Sequence, residues 1–415
     1  MPPRDPLPRP PAWRILIAGG GPLGLTLAFA LTHTLRAAVS VAVLDPGLRR
    51  TRSDPRAYAL SPGTVAMYGT LGLWAEIAGD AEPIRGMTIT DSRVEDAVRP
   101  VYLRFGDGDE PLAFMIEAAR LEDALRTACQ GAGVELTPDR VTGFEAGSNG
   151  IVAELAGGGE RQAALLVACD GARSRLRDNA GIGWVGRDYN QSGIVATVAH
   201  EQPHRGVAIQ HFLPAGPFAI LPLPGDAQHP NRSSIVWTEH ERVASAVSLL
   251  GSDQARQEVE TRFGPHLGPV MLLTDLFTFP LSVGLARTYI APRLALLGDA
   301  AHQIHPLAGQ GLNLGLGDVA ALSERITDAV RLGLDPGGAT VLEAYQRDRR
   351  VDAVMLAGAT DALNRLFSND RLPARVLRDI GLGLVDRAPG LKSLFTNQAA
   401  GGSGRAPRLL RGEAL

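Results

Sequence analysis

The chain has 415 residues, a formal net charge of −3, 45% hydrophobic residues and 20% charged residues, the balance of a globular protein long enough for two or three domains. It contains a single lysine, Lys392, among 41 basic residues, which excludes a Gly-Lys-Ser/Thr phosphate loop and leaves pyridoxal-phosphate chemistry without a well-placed lysine. The near-neutral charge gives no electrostatic footprint for nucleic acid, and Cys129 and Cys169 are too few for a disulfide scaffold and do not form a metal-type pair.

Residues 1–12 are rich in proline and read as an extended, disordered leader. No apolar core of a signal peptide follows, and no apolar run approaches the ~18 residues of a membrane span. The expectation is a soluble cytoplasmic protein, with peripheral contact to the inner membrane left open. Trp13 to Ala18 is a short apolar run that predicts a buried strand. A glycine-rich turn (19–24), a helix from Leu25 to Arg36 and a second apolar strand, Val39 to Leu44, complete a β-α-β unit with a parallel sheet buried on both faces.

Residues 61–79 read as helical, and 85–116 as antiparallel strands with a turn at Gly106-Asp107-Gly108. A helix is expected from Glu117 to Gly131, with Leu121, Leu125 and Ala128 on one face. A hairpin is expected over 139–155, and a buried strand from Leu165 to Cys169. Between 190 and 238, strand-like stretches separated by Pro and Gly predict a second, largely antiparallel sheet. Residues 253–263 read as a helix and Leu294 to Leu297 as another buried strand. A long helix starts near Gly311, and helical segments broken near Pro373 and Pro389 follow.

Two strings carry chemistry. The first is Gly19-x-Gly21-Pro22-Leu23-Gly24, between a strand and a helix, with Asp45 standing 21 residues beyond Gly24 at the end of the next strand. Gly19 permits a tight turn, Gly21 lets a pyrophosphate approach the positive end of the helix, and Gly24 lets helix and strand pack closely. Asp45 can bind an adenosine ribose. This string does not separate FAD from NAD. The second runs from Leu294 through Gly298-Asp299-Ala-Ala-His302 to His305-Pro306-Leu-Ala-Gly309-Gln-Gly311-Leu312-Asn313-Leu-Gly-Leu-Gly-Asp318. A strand delivers a carboxylate to a glycine-rich loop that enters a helix, where backbone N–H groups face an electron-rich ligand. His302 and His305 have an H-x-x-H spacing, but no further ligands accompany them, so a metal site is not expected.

These strings resemble those of the class A FAD-dependent aromatic hydroxylases, and 305–318 looks like the signature of the ubiquinone-biosynthesis hydroxylases. The resemblance extends to Asp54–Ser61, to Cys169–Arg177, to strands around Phe212, Phe218 and Trp237, and to Ala362–Ser368. It implies an α/β fold: a Rossmann-like FAD-binding domain (13–80, 111–180 and 286–332) interleaved with a mainly antiparallel-sheet substrate domain (81–110 and 181–285). A C-terminal helical region (333–398) and a flexible tail (399–415) would follow.

The resemblance also implies roles. Gly19, Gly21, Pro22, Leu23 and Gly24 would cradle the FAD pyrophosphate, and Asp45 would hold the ribose. Arg56 would lie near the pyrophosphate and flavin, and Asp170 at the cofactor and its strand–helix turn. Gly298 and Asp299 would meet the ribityl chain and pyrophosphate. Pro306, Gly309, Gly311, Leu312 and Asn313 would border the flavin, with Pro306 positioning its reactive edge. Arg120 is a further cofactor contact, although Ala118-Ala119 stands where relatives carry Asn-Arg; Asp45 replaces the family's usual Glu. The implied reaction is hydroxylation of a polyprenylated phenol in ubiquinone biosynthesis through a flavin C4a-hydroperoxide. O2 would be the co-substrate and NAD(P)H or another donor the reductant.

Phe212, Phe218 and Trp237 are candidate walls for the greasy ring, and His211 and Tyr189 are conceivable substrate bases. Arg347, Arg349 and Arg350 read as a solvated helix face, with a membrane or a quinone-biosynthesis complex as possible partner. The alternatives are a hydroxylase of another small aromatic substrate, another flavoprotein reaction class (a prenyl-chain reductase or halogenase), and a non-catalytic FAD-fold subunit.

Overall fold

The computed structural model describes residues 13–49, 54–92, 94, 96, 99–106, 110–305, 309–367 and 406–415. The leader 1–12, Pro306, Pro373 and Pro389 lie outside them. β1 (Trp13–Ala18) is central in a six-stranded sheet, flanked in parallel by β2 (Val39–Leu44) and by Leu165–Ala168. Glu135–Thr137 and Leu294–Leu296 extend the parallel order, and Ile290–Ala291 adds an antiparallel edge. The inner strands are apolar from Ile15 in β1, from Val41 in β2 and throughout Leu165–Ala168 because both faces are covered, and Ile15, Ile17, Val43, Leu166 and Val167 are buried. α1 (Pro22–Leu35) packs between this sheet and the helix Gln310–Arg331.

Residues 85–116 divide between two sheets. Gly86–Asp91 and Val101–Phe105 join the large nine-stranded sheet, whereas Ala113–Glu117 pairs with Ala57–Leu60 and Ala81–Ile84 in a small one. The large sheet is antiparallel except where Gly86–Asp91 lies parallel to Val207–Leu213.

The two faces of the large sheet do different things. Ile194, Phe218, Ile220 and Trp237 form one core with Val259 and Phe263 of the helix Ser252–Phe263. Ala208, Leu221 and Leu223 point the other way, onto Ala57, Ala59 and Met115. Because side chains alternate along a strand, Phe212 shares the Ala208 face and Phe218 does not. Phe218 and Trp237 therefore belong to the outer core rather than to a substrate wall.

Two further expectations are corrected. Arg349 is not on a solvated face: its guanidinium is buried against Asp318. The end of the chain is not a flexible tail either, since 406–415 packs back onto the Gln310–Arg331 helix. Arg408 donates to Asp328 at 2.6 Å, its backbone N–H donates to Glu324 at 2.8 Å, and Leu409 is 1% exposed. Burying that leucine is worth about 1.5–3 kcal/mol, more than the half-exposed ion pairs beside it.

Candidate active site

The site lies where β1, β2, Leu165–Ala168 and Leu294–Leu296 end together. Gly19 adopts φ +119°, and a Cβ there would lie 2.1 Å from the Cys169 carbonyl oxygen. A Cβ on Gly24 would lie 2.0 Å from the Gly19 carbonyl oxygen. A Cβ on Gly21 would meet nothing within 4 Å. The loop is thus closed on its protein side and open on its outer side. α1 begins there with Gly21 as N-cap, Pro22 at its start and no capping side chain, so its first-turn amides face that space.

Asp45 fastens the loop. Its carboxylate accepts from the Gly20 amide at 2.8 Å and the Gly47 amide at 2.5 Å. Leu23 is a packing residue: its Cδ1 occupies the space that a Cβ on Gly298 or Gly315 would need, at 2.3 and 2.5 Å. This seats α1, the 298 turn and the Gln310–Arg331 helix against one another.

The 298 turn is held from below. Gly298 (φ +62°) donates its N–H to Asp318 at 3.1 Å, His302 Nε2 lies 2.5 Å from the same carboxylate oxygen, and Arg349 Nε donates to the other oxygen at 2.8 Å. Burial opposes the charge on Asp318, but the His302 and Arg349 contacts outweigh it and hold the carboxyl below its usual range. Nothing in the spacing of His302, Asp318 and Arg349 signalled this cluster. Arg177 links the neighbouring loop by donating to the carbonyls of Ala172 (3.0 Å) and Ala300 (3.4 Å).

Asp299, Arg56 and Tyr58 line a cleft. Asp299 and Arg56 are reached by solvent and Tyr58 partly so, yet protein crowds each of them. Desolvation raises the Asp299 carboxyl against the pull of His302 and Arg56, and pushes the Tyr58 hydroxyl up to about 12. Arg56 is paired with Asp54 at 2.6 Å. A crowded but wetted row of one acid and one base beside an open glycine loop fits an elongated, partly anionic ligand such as FAD.

Gly309 (φ +64°) caps the Gln310–Arg331 helix without a side-chain bond, and a Cβ on Gly311 would meet nothing within 4 Å. Asn313 contributes its side chain to the protein instead: it donates to the Ala59 carbonyl and accepts from the Ser61 N–H and Thr64 hydroxyl. It thereby ties the helix start to the strand Ala57–Leu60. Asp170 is exposed and accepts from the Leu176 amide at 3.4 Å, beside Gly171 at φ +86°. Arg120 is 64% exposed and 3.9 Å from Asp80, in the first turn of the helix Ala118–Gly131, whose Ala118 amide donates to the Arg56 carbonyl at 2.9 Å. His211 lies in the cross-strand row with Phe218 and Trp237, fully buried on the outer-core face and bonded to Thr90 at 2.7 Å. Among the described residues no group of three or more His, Cys, Asp or Glu could hold a metal ion.

The fold and this cleft define a class A FAD-dependent monooxygenase. Residues 12–357 match the FAD binding domain family, and solved structures agree in fold. p-Nitrophenol 4-monooxygenase PnpA from Pseudomonas putida DLL-E4 superposes with a TM-score of 0.73 at 20% identity, covering 93% of this chain and 96% of that one.

Within that class the chain belongs to the ubiquinone-biosynthesis hydroxylases. It is 42% identical over 412 residues to ubiquinone hydroxylase UbiL of Rhodospirillum rubrum, covering 97% of this chain and 93% of that protein. It is 32% identical over 394 residues to 3-demethoxyubiquinol 3-hydroxylase of Escherichia coli, covering 93% and 98%. The human ubiquinone biosynthesis monooxygenase COQ6 is 30% identical over 437 residues, covering 91% and 90%.

Proposed function

We propose that this FAD-dependent monooxygenase hydroxylates the ring of a polyprenylated phenol on the route to ubiquinone. The observation that carries the reading is 42% identity to a ubiquinone hydroxylase over nearly the whole of both chains, joined to an intact glycine cradle and cleft. Bound FAD supplies the redox and oxygen chemistry, with O2 as co-substrate and NAD(P)H or another donor as reductant. The chain's own residues bind and orient. The Gly19–Gly24 loop and the start of α1 would take the pyrophosphate, Asp45 the ribose, and Arg56, Asp170, Gly298 and Asp299 the middle of the cofactor. Gly309, Gly311 and Leu312 would present backbone amides to the flavin ring, where N–H groups favour negative charge. Pro306 would border the flavin edge. The inner face of the large sheet, with Phe212, would wall the ring and exclude water.

Among the described residues no helix is long and apolar enough to cross a membrane. The helix Ala339–Phe367 exposes Val351, Val354 and Met355 beside Arg347 and Arg350, an arrangement suited to lying on an anionic bilayer that holds the substrate. The test is to incubate the holoprotein with reductant, O2 and a prenylated phenol. A product heavier by one oxygen is expected; reductant consumed with only peroxide formed would refute the reading.

A further inference from the structure

We propose that His305 is the residue that holds the ring hydroxyl of the phenolic substrate, an assignment that rests on the function proposed above. His305 is completely buried, and neither ring nitrogen has a hydrogen-bond partner. It is the one imidazole among the described residues with both nitrogens buried and unpaired. The other buried histidines are engaged: His200 with the Gln202 carbonyl at 2.8 Å and the Ser233 hydroxyl at 2.9 Å, His302 with Asp318, and His211 with Thr90. A buried polar side chain left without partners calls for an explanation, and a ligand that completes it is one.

The setting says what kind of ligand. His305 lies four residues before Gly309, the cap of the helix assigned to the flavin. The ring of Tyr189 meets it edge-on at 5.2 Å and 76°. Tyr189 is carried by the strand Trp184–His200 at a bulge, where the pairing with Phe277–Ala286 jumps from Asp188 to Gln191 and Asn190 takes φ +54°. Such bulges re-aim a side chain. The Tyr189 hydroxyl donates to Asp361 at 2.9 Å, and Arg187 binds the same carboxylate. Tyr189 is therefore spoken for and serves as a positioning residue that fixes the imidazole plane.

His305 stands at the seam between the flavin loop, the substrate sheet and the helix Ala339–Phe367. Burial pushes its imidazole down to about 4, against the nearby Asp361 carboxylate, so it is neutral at pH 7 and offers one donor and one acceptor. A phenol hydroxyl has the complementary pair. An O-methyl ether can only accept.

The test measures binding, without turnover, to the oxidised holoprotein. A prenylated phenol and its O-methyl ether are titrated while the flavin absorbance is followed. The wild type is expected to prefer the phenol by about tenfold, the scale of one buried hydrogen bond. His305→Phe and His305→Leu are expected to bring that ratio near one, whichever of them folds. His305→Gln, whose amide still bonds, retains part of it, and Tyr189→Phe reduces it less than His305→Phe. Preference for the phenol surviving in His305→Phe or His305→Leu would overturn the assignment and leave the functional reading standing. A wild-type holoprotein that binds neither ligand would overturn both.

Discussion

Replacing Arg349 by Leu tests the charge cluster beneath the cleft. The substitution keeps most of the apolar stem and removes the bond from Nε to Asp318, the bond from Nη2 to the Leu314 carbonyl at 3.2 Å, and the outer pair with Asp352. The Asp352 pair is half exposed and contributes little. The Asp318 carboxylate is fully buried, so losing its guanidinium partner costs about 3–5 kcal/mol. For a chain of this length the size scaling of unfolding entropy converts that to a fall in Tm of about 3–6 °C. Because Asp318 also accepts from the Gly298 amide, FAD should bind more weakly as well. Thermal unfolding of the holoprotein and FAD titration of the stripped protein read the two effects. The double variant Asp318→Leu/Arg349→Leu should cost less than the sum of the single variants, since it leaves no unpaired charge. A Tm within about 1 °C of wild type for Arg349→Leu, or strict additivity in the double variant, would refute the reasoning.

Four further outcomes are expected. Gly24→Ala places a methyl against the Gly19 carbonyl and should lower both stability and FAD occupancy. Gly21→Ala enters open space and should lower FAD affinity at unchanged Tm, as read by bound flavin absorbance and apoprotein unfolding. Burial pushes the His211 and His305 imidazoles down from the ordinary 6.5, to about 3 and about 4. The unfolded chain therefore binds more protons between pH 6.5 and 4, so their contribution to stability is complete above 6.5 and is lost on acidification through that window. His305→Gln should flatten the slope of denaturation free energy against pH there by up to about 1.4 kcal/mol per pH unit; an unchanged slope would contradict it. Finally, Val354→Asp/Met355→Asp should reduce co-sedimentation with anionic phospholipid vesicles severalfold without altering Tm, and equal co-sedimentation would remove the helix Ala339–Phe367 as a membrane face.

The parallel sheet was legible because strands buried on both faces are apolar runs: past Arg14 in β1 and Ser40 in β2, and throughout Leu165–Ala168, there is no polar alternation to confuse with a surface. The face of a strand in the large sheet was not legible. Both of its sides are covered, so Phe218 and Phe212 look equally apolar, and only the row His211–Phe218–Trp237 under the Ser252–Phe263 helix separates them. Arg349 sits in a run of charged residues that reads as surface. Its burial depends on Asp318, which lies 31 positions earlier on another helix and leaves no local signal. The C-terminal residues combine Gly and Arg as a solvated tail would, yet Arg408 matches Glu324 and Asp328 in charge and Leu409 supplies the apolar contact.

The glycines of the cleft fall into two physical classes that composition cannot separate. Gly19, Gly24, Gly298 and Gly315 lack a Cβ because protein already stands there: a carbonyl for the first two and Leu23 for the last two. Gly21, Gly171 and Gly311 face open space, where a ligand can come close to backbone. The first class joins α1, the 298 turn and the Gln310–Arg331 helix through Leu23, so these three edges of the cleft are set before any cofactor arrives. The second class marks the surface left for it. Substitutions in the first class should therefore destabilise the protein with or without FAD, and substitutions at Gly21 and Gly311 should be felt only when FAD binds; Gly171, at φ +86°, would be strained in either state. A rigid frame assembled by packing, with its amides turned outward, is the arrangement that minimises the ordering cost of binding a long, flexible dinucleotide.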